Sequence, residues 1–168
     1  GKIYCQTYTF SLYKFRTMYV DSDDSLHKDF ITAYINNDED TLDKMNEVSD
    51  IETTESSRHN LKFKLVKDPR ITRVGAFLRK TSLDELPQFW NVLQGHMSVI
   101  GPRPAIPYEV ELYEPRHYRR FEAKPGVTGL WQVTKRSQSS FEEMVDLDIW
   151  YAENRSFRMD LNIVFQTV

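Results

Sequence analysis

The sequence predicts an α+β fold, a predominantly helical single domain with a few short strands. The chain has 168 residues, long enough for one domain with a sizeable core. Apolar residues recur at helical spacing over much of the chain, and short β-branched or aromatic runs lie between turn residues. No apolar run approaches the ~18 residues that a bilayer-spanning helix needs. The single cysteine, Cys5, cannot form an internal disulfide.

The charge distribution separates an acidic segment from a mildly basic remainder. The net charge is −3, but residues 21–60 hold twelve acidic and three basic side chains, whereas the remainder holds thirteen acidic and nineteen basic ones. We therefore expect one domain over residues 1–168 with an acidic insert at about 21–60. A basic body suits phosphate-bearing ligands or an anionic membrane surface. For single residues, solvated surface charge is the alternative interpretation.

The first third of the chain begins with a run that favours a strand, residues 3–20, in which β-branched and aromatic residues dominate. Alternation puts Lys14 and Arg16 on one face of that strand. These cations either face a phosphate site or lie in water, and the spacing leaves both interpretations open. The next elements are a predicted helix at Ser25–Ile35, a short helix around Leu42 to Val48, a polar loop or disordered stretch at 49–60 and a strand at 61–66.

The stretch from Arg79 to Pro104 contains the most informative pattern. Ser82 and Glu85 match a capping box, and a helical apolar face follows until Gly95. Pro87 is awkward in that register and fits better if the helix begins at Asp84, so both starts remain open.

Further elements are predicted on both sides of this stretch. They are a turn at 68–72 that leads into an apolar helical stripe at 74–78, a helical region at 108–123 broken at Pro115, a loop at 124–129, a short strand at 130–133, a helix at 140–154 and an amphipathic helix at 157–168. The apolar faces at Phe89-Trp90 and at Phe157 to Val168 either lie at a membrane interface or pack into the core, and both remain open.

Asp84 and Glu85 are adjacent carboxylates. Neighbouring side chains on a helix point about 100° apart, which argues against a glycosidase pair flanking one bond and favours two different roles. One carboxylate could attack while the other holds a metal. The alternative is that both acids simply stabilise the first turn of a helix.

Two more charged residues stand out from their surroundings. Arg103, held between two prolines, suits a rigid phosphate clamp or an ordinary turn with an exposed arginine. Asp148, on a largely apolar helix, is either exposed or paired in a site.

Six motifs in order resemble those of one family. They are Lys14-Phe15-Arg16-Thr17-Met18, Asp68-Pro69-Arg70-Ile71-Thr72, Arg79 through Gln88, Gly101-Pro102-Arg103-Pro104, Pro125-Gly126-Val127-Thr128-Gly129 and Leu147-Asp148-Ile149-Trp150-Tyr151. Together they resemble the bacterial sugar transferases, the monotopic phosphoglycosyl transferases, over residues 12–20 and essentially all of 61–168.

The resemblance implies transfer of a sugar-1-phosphate from a UDP-sugar to a polyprenyl phosphate, usually undecaprenyl phosphate, with release of UMP, as a first step of surface-glycan synthesis. It implies that Asp84 is the nucleophile, that it forms an aspartyl-phosphosugar intermediate, and that Glu85 helps to hold Mg²⁺. The implied substrate-binding residues are Lys14, Arg16, Arg79, Arg103, Arg136 and Asp148.

The resemblance also implies a setting. We expect the protein to act on a membrane surface, at the cytoplasmic face of a bacterial inner membrane, and to bind no nucleic acid. Whether it forms a homo-oligomer stays open. The family's upstream re-entrant membrane helix is missing from this sequence, which starts at Gly1 without Met. Lys135 also stands where many members have glycine, which affects the expected loop geometry. The alternatives are a metal-dependent phosphohydrolase and a non-catalytic nucleotide-sugar or membrane-binding module.

Overall fold

The computed structural model describes residues 9–22, 25–47, 68–134 and 139–167. Within these ranges the α-helices are α1 (Ser25–Ile35), α2 (Glu39–Glu47), α3 (Arg73–Lys80), α4 (Gln88–Leu93), α5 (Pro107–Val110), α6 (Leu130–Thr134), α7 (Phe141–Asn154) and α8 (Phe157–Thr167). Two 3-10 helices lie at Leu83–Glu85 and His117–Glu122, and two strands are β1 (Ser98–Ile100) and β2 (Gly126–Thr128). The predicted α+β class, mainly helical with short strands, is confirmed. The predicted loop at 49–60 and strand at 61–66 lie outside the described residues.

The described part of the acidic segment packs into the main core. The predicted helix Ser25–Ile35 is confirmed as α1, and Phe30, Ile31 and Tyr34 from it are buried. α2 begins before its first apolar residue because the carboxylate of Asp38 accepts a hydrogen bond from the backbone N–H of Thr41 (3.1 Å). Whether residues 21–60 are an insertion stays a prediction.

α7 is the longest described helix and the centre of the core. Its N-cap residue, Ser140, and Glu143 form a reciprocal capping box, with hydrogen bonds of 3.3 and 3.1 Å. The buried members of the main core are Phe30, Ile31, Ala33, Tyr34, Leu42, Tyr113, Trp131, Phe141, Met144 and Val145. A smaller cluster of Ala123, Tyr151 and Ile163 joins α7 to α8.

The two strands form a parallel pair in which Ser98 is opposite Gly126 and Ile100 is opposite Thr128. The backbones approach so closely that a Cβ on Gly126 would lie 2.1 Å from the Gly101 nitrogen, so glycine is required there. This contact places the loop after β1 beside β2.

The predicted loop at 124–129 and strand at 130–133 were both wrong. Strand β2 occupies Gly126–Thr128, and residues Leu130–Thr134 form helix α6. Trp131 is buried in the core and its indole N–H donates to the Ser139 hydroxyl (2.5 Å). Tertiary packing therefore overrides the β propensity of this run.

The prediction of a strand over residues 3–20 was wrong for its described part. Among residues 9–22, a single ladder contact occurs, an antiparallel bridge between Met18 and Ile71. Residues 11–13 are held by a side chain instead, because Asn91 accepts from the Tyr13 N–H (3.1 Å) and donates to the Ser11 carbonyl (2.8 Å). The extended segment is therefore held by one isolated bridge and a buried asparagine side chain rather than by a neighbouring strand.

The predicted capping box at Ser82 was also wrong. Ser82 has a left-handed backbone conformation (φ 56°) and its side chain makes no capping hydrogen bond. A 3-10 helix at Leu83–Glu85 follows, and α4 begins only after Pro87. Proline has no N–H to continue a helix that started at Leu83, so one predicted helix becomes two elements. The predicted end at Gly95 (φ 78°) and the break at Pro115 are confirmed.

Many apolar side chains of these elements remain exposed. Leu86, Trp90 and Leu93 are 50%, 57% and 79% exposed, and Phe157 and Phe165 on α8 are each 79% exposed. The predicted apolar faces are thus real, but they point away from the core. Of the helices in the described ranges, none has the length and apolar character needed to cross a membrane.

Candidate active site

An open cleft of about 310 Å³ is lined by Glu85, the second of the two adjacent carboxylates that the sequence singles out. This volume is at the lower end of the range for small-molecule sites, so a larger ligand would be only partly enclosed. The cleft is lined by Leu12, Lys14, Met18, His27, Arg70, Glu85, Gln88, Arg103, Pro104, Ile106, Tyr108, Gly126, Val127 and Gln132. The sequence-predicted residues Lys14, Glu85 and Arg103 therefore meet in one place.

Lys14 and Glu85 form an ion pair in the cleft. The Lys14 Nζ lies 2.7 Å from Glu85 Oε1, and the two side chains are 41% and 32% exposed. The backbone supports this contact, because the Phe15 N–H donates to the Asp84 carbonyl (3.0 Å). The extended segment is thus attached directly to the 3-10 helix that carries the carboxylates.

Asp84 is almost fully buried, with 7% of its surface exposed. It lies in the middle of the 3-10 helix, directly before the cleft residue Glu85. Within the described ranges, no side-chain hydrogen bond or ion pair satisfies its carboxylate. Asp84 is not among the residues that line the cleft, so its role as nucleophile stays a prediction.

Arg103 extends from the loop after β1 and is 27% exposed. Its guanidinium Nη1 lies 3.9 Å from Oε2 of Glu109, which is buried. Its backbone carbonyl accepts a hydrogen bond from the Arg120 guanidinium (3.2 Å). The loop that presents Arg103 is therefore fixed from behind by a second arginine.

A buried polar network supports this loop. Arg120 is 1% exposed and contacts Asp148 (2.5 Å), Tyr113 (2.5 Å) and Glu109 (3.4 Å). Burial alone would lower the pKa of the Arg120 guanidinium, but the neighbouring Asp148 carboxylate and the other acidic partners raise it, so the side chain stays charged. Asp148 is 2% exposed and is not among the residues that line the cleft. Of the two situations that the sequence left open, the structure shows a paired carboxylate.

The structure does not bring the other predicted cations into the cleft lining. Arg79 is exposed and its Nε donates to the Thr17 hydroxyl (2.9 Å), which fixes the segment that carries Lys14. Arg16 is exposed on that same segment. Arg136 lies outside the described residues. Direct substrate contact by these three arginines stays a prediction.

Sequence reasoning missed several residues of the cleft. Arg70 lines it and is held rigidly by two side-chain hydrogen bonds of 2.8 Å to Asp68. Those bonds outweigh burial and lower the pKa of the Asp68 carboxyl. The Asp-Pro-Arg motif was a signal that could have found Arg70. Gln88, His27, Tyr108 and Gln132 carry no comparable signal, since distant segments bring them together.

The donor set suits a magnesium ion held largely by substrate. No group of three or more histidine, cysteine or carboxylate side chains that could hold a metal is present within the described ranges. Mg²⁺ commonly uses one or two protein carboxylates and completes its shell with phosphate oxygens and water. Glu85 provides one such oxygen donor in the cleft, and Asp84 directly precedes it. The residues present therefore fit Mg²⁺ in combination with a phosphate ligand.

Comparison with known proteins identifies relatives of this chain. A 106-residue stretch is 56% identical to a UDP-galactose-lipid carrier transferase of Erwinia amylovora, covering 63% of this chain and 22% of that protein. An undecaprenyl-phosphate galactose phosphotransferase of Salmonella typhimurium is 51% identical over 105 residues, 62% of this chain and 22% of its own length. The galactosyl transferase CpsE of Streptococcus agalactiae is 40% identical over 160 residues, 95% of this chain and 30% of that protein.

The chain thus spans less than a third of the length of each of these three relatives. The profile of the bacterial sugar transferase family, by contrast, matches residues 3–168, nearly the entire sequence. The cleft, its carboxylates and its arginines all lie within the matched range. The chain belongs to the bacterial sugar transferase family.

Proposed function

We propose that this chain carries the site that transfers a sugar-1-phosphate from a UDP-sugar to a polyprenyl phosphate and releases UMP. The observation that carries the proposal is a cleft that collects three cations and the half-buried carboxylate of Glu85, whose neighbour in sequence, Asp84, is a nearly buried carboxylate. The names of two relatives, a UDP-galactose-lipid carrier transferase and an undecaprenyl-phosphate galactose phosphotransferase, support the donor and acceptor classes.

The chemistry proceeds in two displacements. An oxygen of the Asp84 carboxylate attacks the phosphorus next to the sugar, and the bond from that phosphorus to the UMP oxygen breaks. UMP leaves with the bonding electrons, and a phosphosugar remains on Asp84. A phosphate oxygen of the polyprenyl phosphate then attacks the same phosphorus and breaks its bond to Asp84. The carboxylate is regenerated, and the sugar ends on a polyprenyl diphosphate.

The cleft residues support this reaction by charge and position. Lys14, Arg70 and Arg103 supply positive charge where phosphate oxygens would lie. Arg103 is the best candidate for bidentate contact, because its loop is fixed by Arg120. Glu85 would hold Mg²⁺, which when bound neutralises phosphate charge that would otherwise repel the nucleophile.

The exposed apolar side chains support action at a membrane surface. Leu86, Trp90 and Leu93 belong to the elements that follow the carboxylates directly. Exposed basic side chains, Arg73, Arg79 and Lys80, lie on the preceding helix α3. An apolar surface with adjacent cations suits an anionic bilayer interface, where a polyprenyl substrate resides. We place the reaction at the cytoplasmic face of a bacterial inner membrane.

Intact-mass spectrometry after incubation with UDP-galactose and Mg²⁺ tests the proposal. We expect a phosphohexose adduct that peptide mapping assigns to Asp84, and loss of the adduct on addition of polyprenyl phosphate. Asp84→Asn should form no adduct, with deamidation excluded by mass. Lipid-independent release of sugar phosphate would instead indicate a hydrolase, and donor binding without adduct or turnover would indicate a binding module. Either result overturns the proposal.

A further inference from the structure

Helix α1, in the acidic segment, forms part of the cleft. His27 from its first turns lines the cleft together with Tyr108, which lies at the start of α5. The imidazole Nδ1 of His27 is hydrogen-bonded to the Tyr108 hydroxyl. The two rings meet edge to face, with centroids 6.0 Å apart and an interplanar angle of 81°. Two residues 81 positions apart thus form one aromatic and polar surface.

Helix α1, which carries His27, is anchored in the core. Phe30, Ile31 and Tyr34, on the same helix, are each 3% exposed or less. The Tyr34 hydroxyl also donates to the Ser139 carbonyl (3.0 Å), which joins α1 to the start of α7. The backbone of His27 is therefore held in a fixed position. A residue that selects a ligand by its shape needs such a fixed position.

The chemistry of this surface differs from that of the rest of the cleft. Lys14, Arg70 and Arg103 bear full positive charges that suit phosphates. The His27–Tyr108 surface offers instead aromatic rings and hydrogen-bonding groups. Such groups suit a ring that carries hydroxyl or carbonyl groups, which aromatic side chains contact through their faces and polar tips.

We propose that His27 and Tyr108 form a specificity surface that contacts a ring of the nucleotide-sugar, either the hexose or the uridine, while the cations hold its diphosphate. The inference rests on the proposed function, and it gives helix α1 a part in donor selection. His27 and Tyr108 take no part in bond breaking; they bind and orient the donor.

Steady-state kinetics with two variants test this role. Tyr108→Phe keeps the ring and removes its hydroxyl, and His27→Ala removes the imidazole. We expect each to raise the KM for the UDP-sugar about tenfold, with kcat changed less than about threefold, because a binding contact is lost without change in the reacting groups. Asp29→Asn is the matched control, since Asp29 is exposed on the same helix and does not line the cleft. It should leave both constants unchanged.

Inhibition by UDP and a comparison of UDP-galactose with UDP-glucose identify the ring. A raised inhibition constant for UDP assigns the surface to the uridine. An unchanged UDP constant with an altered preference between the two sugars assigns it to the hexose. The inference is wrong if both variants fold and keep the wild-type KM, inhibition constant and sugar preference. A lower melting temperature in such variants would show that His27 and Tyr108 serve only to hold α1 in place.

The inference and the proposed function can fail separately. Calorimetric titration of UDP-galactose into the protein without lipid measures donor affinity whether or not transfer occurs. If the wild type binds the donor and transfers nothing, the proposed function fails, and weaker binding in His27→Ala still supports the surface. If the wild type transfers sugar phosphate and both variants bind the donor with wild-type affinity, the surface alone is refuted.

Discussion

At the scale of single residues, two contacts set the position of Arg103. Its backbone carbonyl is held by Arg120, and its guanidinium lies 3.9 Å from the buried Glu109. That separation is longer than a hydrogen bond, so Glu109 orients the guanidinium by charge.

Replacing Arg103 by lysine should therefore impair the reaction although the charge is kept. A lysine cannot make the bidentate contact, and loss of one charge-assisted hydrogen bond costs ~1.5–3 kcal/mol. We expect kcat/KM to fall by roughly 10- to 100-fold. Arg73→Lys, at an exposed arginine on α3, is the control and should retain wild-type kinetics. Equal activity of both variants would show that Arg103 acts as a simple point charge.

Asp148 illustrates a residue whose importance is structural. Asp148→Asn leaves the fully buried Arg120 without its carboxylate partner at 2.5 Å. Breaking a buried ion pair costs ~3–5 kcal/mol, so we expect Tm to fall by roughly 10 °C. Thermal unfolding by circular dichroism measures the shift. An unchanged Tm together with lost activity would mean that Asp148 contacts the substrate directly.

His117 is a buried histidine whose protonation links stability to pH. It is buried, its Nδ1 accepts from the Glu114 N–H (3.0 Å), and its Nε2 contacts Glu142 (3.1 Å). Burial, with the nearby Arg116 charge, lowers the pKa of His117 below its usual range. The unfolded chain therefore takes up this proton first as pH falls. The contribution of neutral His117 to stability is complete above the unfolded pKa of about 6.5 and is lost as pH falls through the folded pKa.

An NMR titration checks this prediction. The imidazole signal of His117, assigned by its loss in His117→Gln, should titrate at lower pH than that of a histidine in a short reference peptide. A midpoint at or above the peptide value would contradict it.

At the scale of elements, the contact between α3 and the extended segment decides where Lys14 lies. A Cβ on Gly75 of α3 would lie 2.0 Å from the Thr17 carbonyl oxygen, so the helix and the segment touch backbone to backbone. The Thr72 N–H donates to the same carbonyl (3.0 Å). Together with the bond from Arg79 to Thr17, these contacts fix residues 14–17 beside the carboxylates.

We expect Gly75→Ala to separate these two elements. The added methyl group has no space, and overpacking of this kind costs ~1–3 kcal/mol. The variant should melt at a lower temperature and lose transferase activity, because Lys14 is displaced from Glu85. The exposed Ala76→Ser on the same helix serves as the control. A Gly75→Ala protein with wild-type stability and activity would show that the segment is not held here.

One sequence motif shows why elements were only partly predictable. Serine followed three residues later by glutamate occurs at Ser140 and at Ser82. Only Ser140 forms a capping box, since Ser82 leads into a 3-10 turn. The difference is Pro87, which cannot donate to Leu83 and so prevents a continuous helix. A prediction that had given the proline more weight than the cap would have placed the start of α4 correctly.

The candidate site was predictable where charge or rigid backbone marked it. The sequence marked two cations, Lys14 and Arg103, the latter between two prolines, and one carboxylate, Glu85. The structure brings all three to one cleft. His27 and Tyr108 had no local signal, because their meeting depends on how α1 packs against the core. Short strands β1 and β2 were missed for a similar reason, since each has three residues and is defined by its partner.

At the scale of the whole molecule, the exposed apolar residues are the feature on which the proposed contact with lipid depends. Trp90 and Leu93 are 57% and 79% exposed and follow the carboxylates by only a few residues. Transferring such side chains from water to an apolar phase is favourable by ~1.5–3 kcal/mol each when burial is complete.

Trp90→Ala combined with Leu93→Ala should weaken binding to vesicles containing anionic lipid by roughly tenfold or more. Co-sedimentation with the vesicles measures the bound fraction. Gln94→Ala, at an exposed polar residue next to the same helix, should bind as the wild type does. Equal binding of all three proteins would assign the apolar surface to another partner.

The close approach of Gly101 and Gly126 has a consequence for how such proteins diversify. Because a Cβ on Gly126 would lie 2.1 Å from the Gly101 nitrogen, we expect a substitution at Gly126 to push strand β2 away from the loop that carries Arg103. On the role that we propose for His27, a substitution at that residue alters donor preference and leaves this glycine contact intact. In chimeric enzymes, strand β2 and the loop after β1 should therefore be transplanted as one unit.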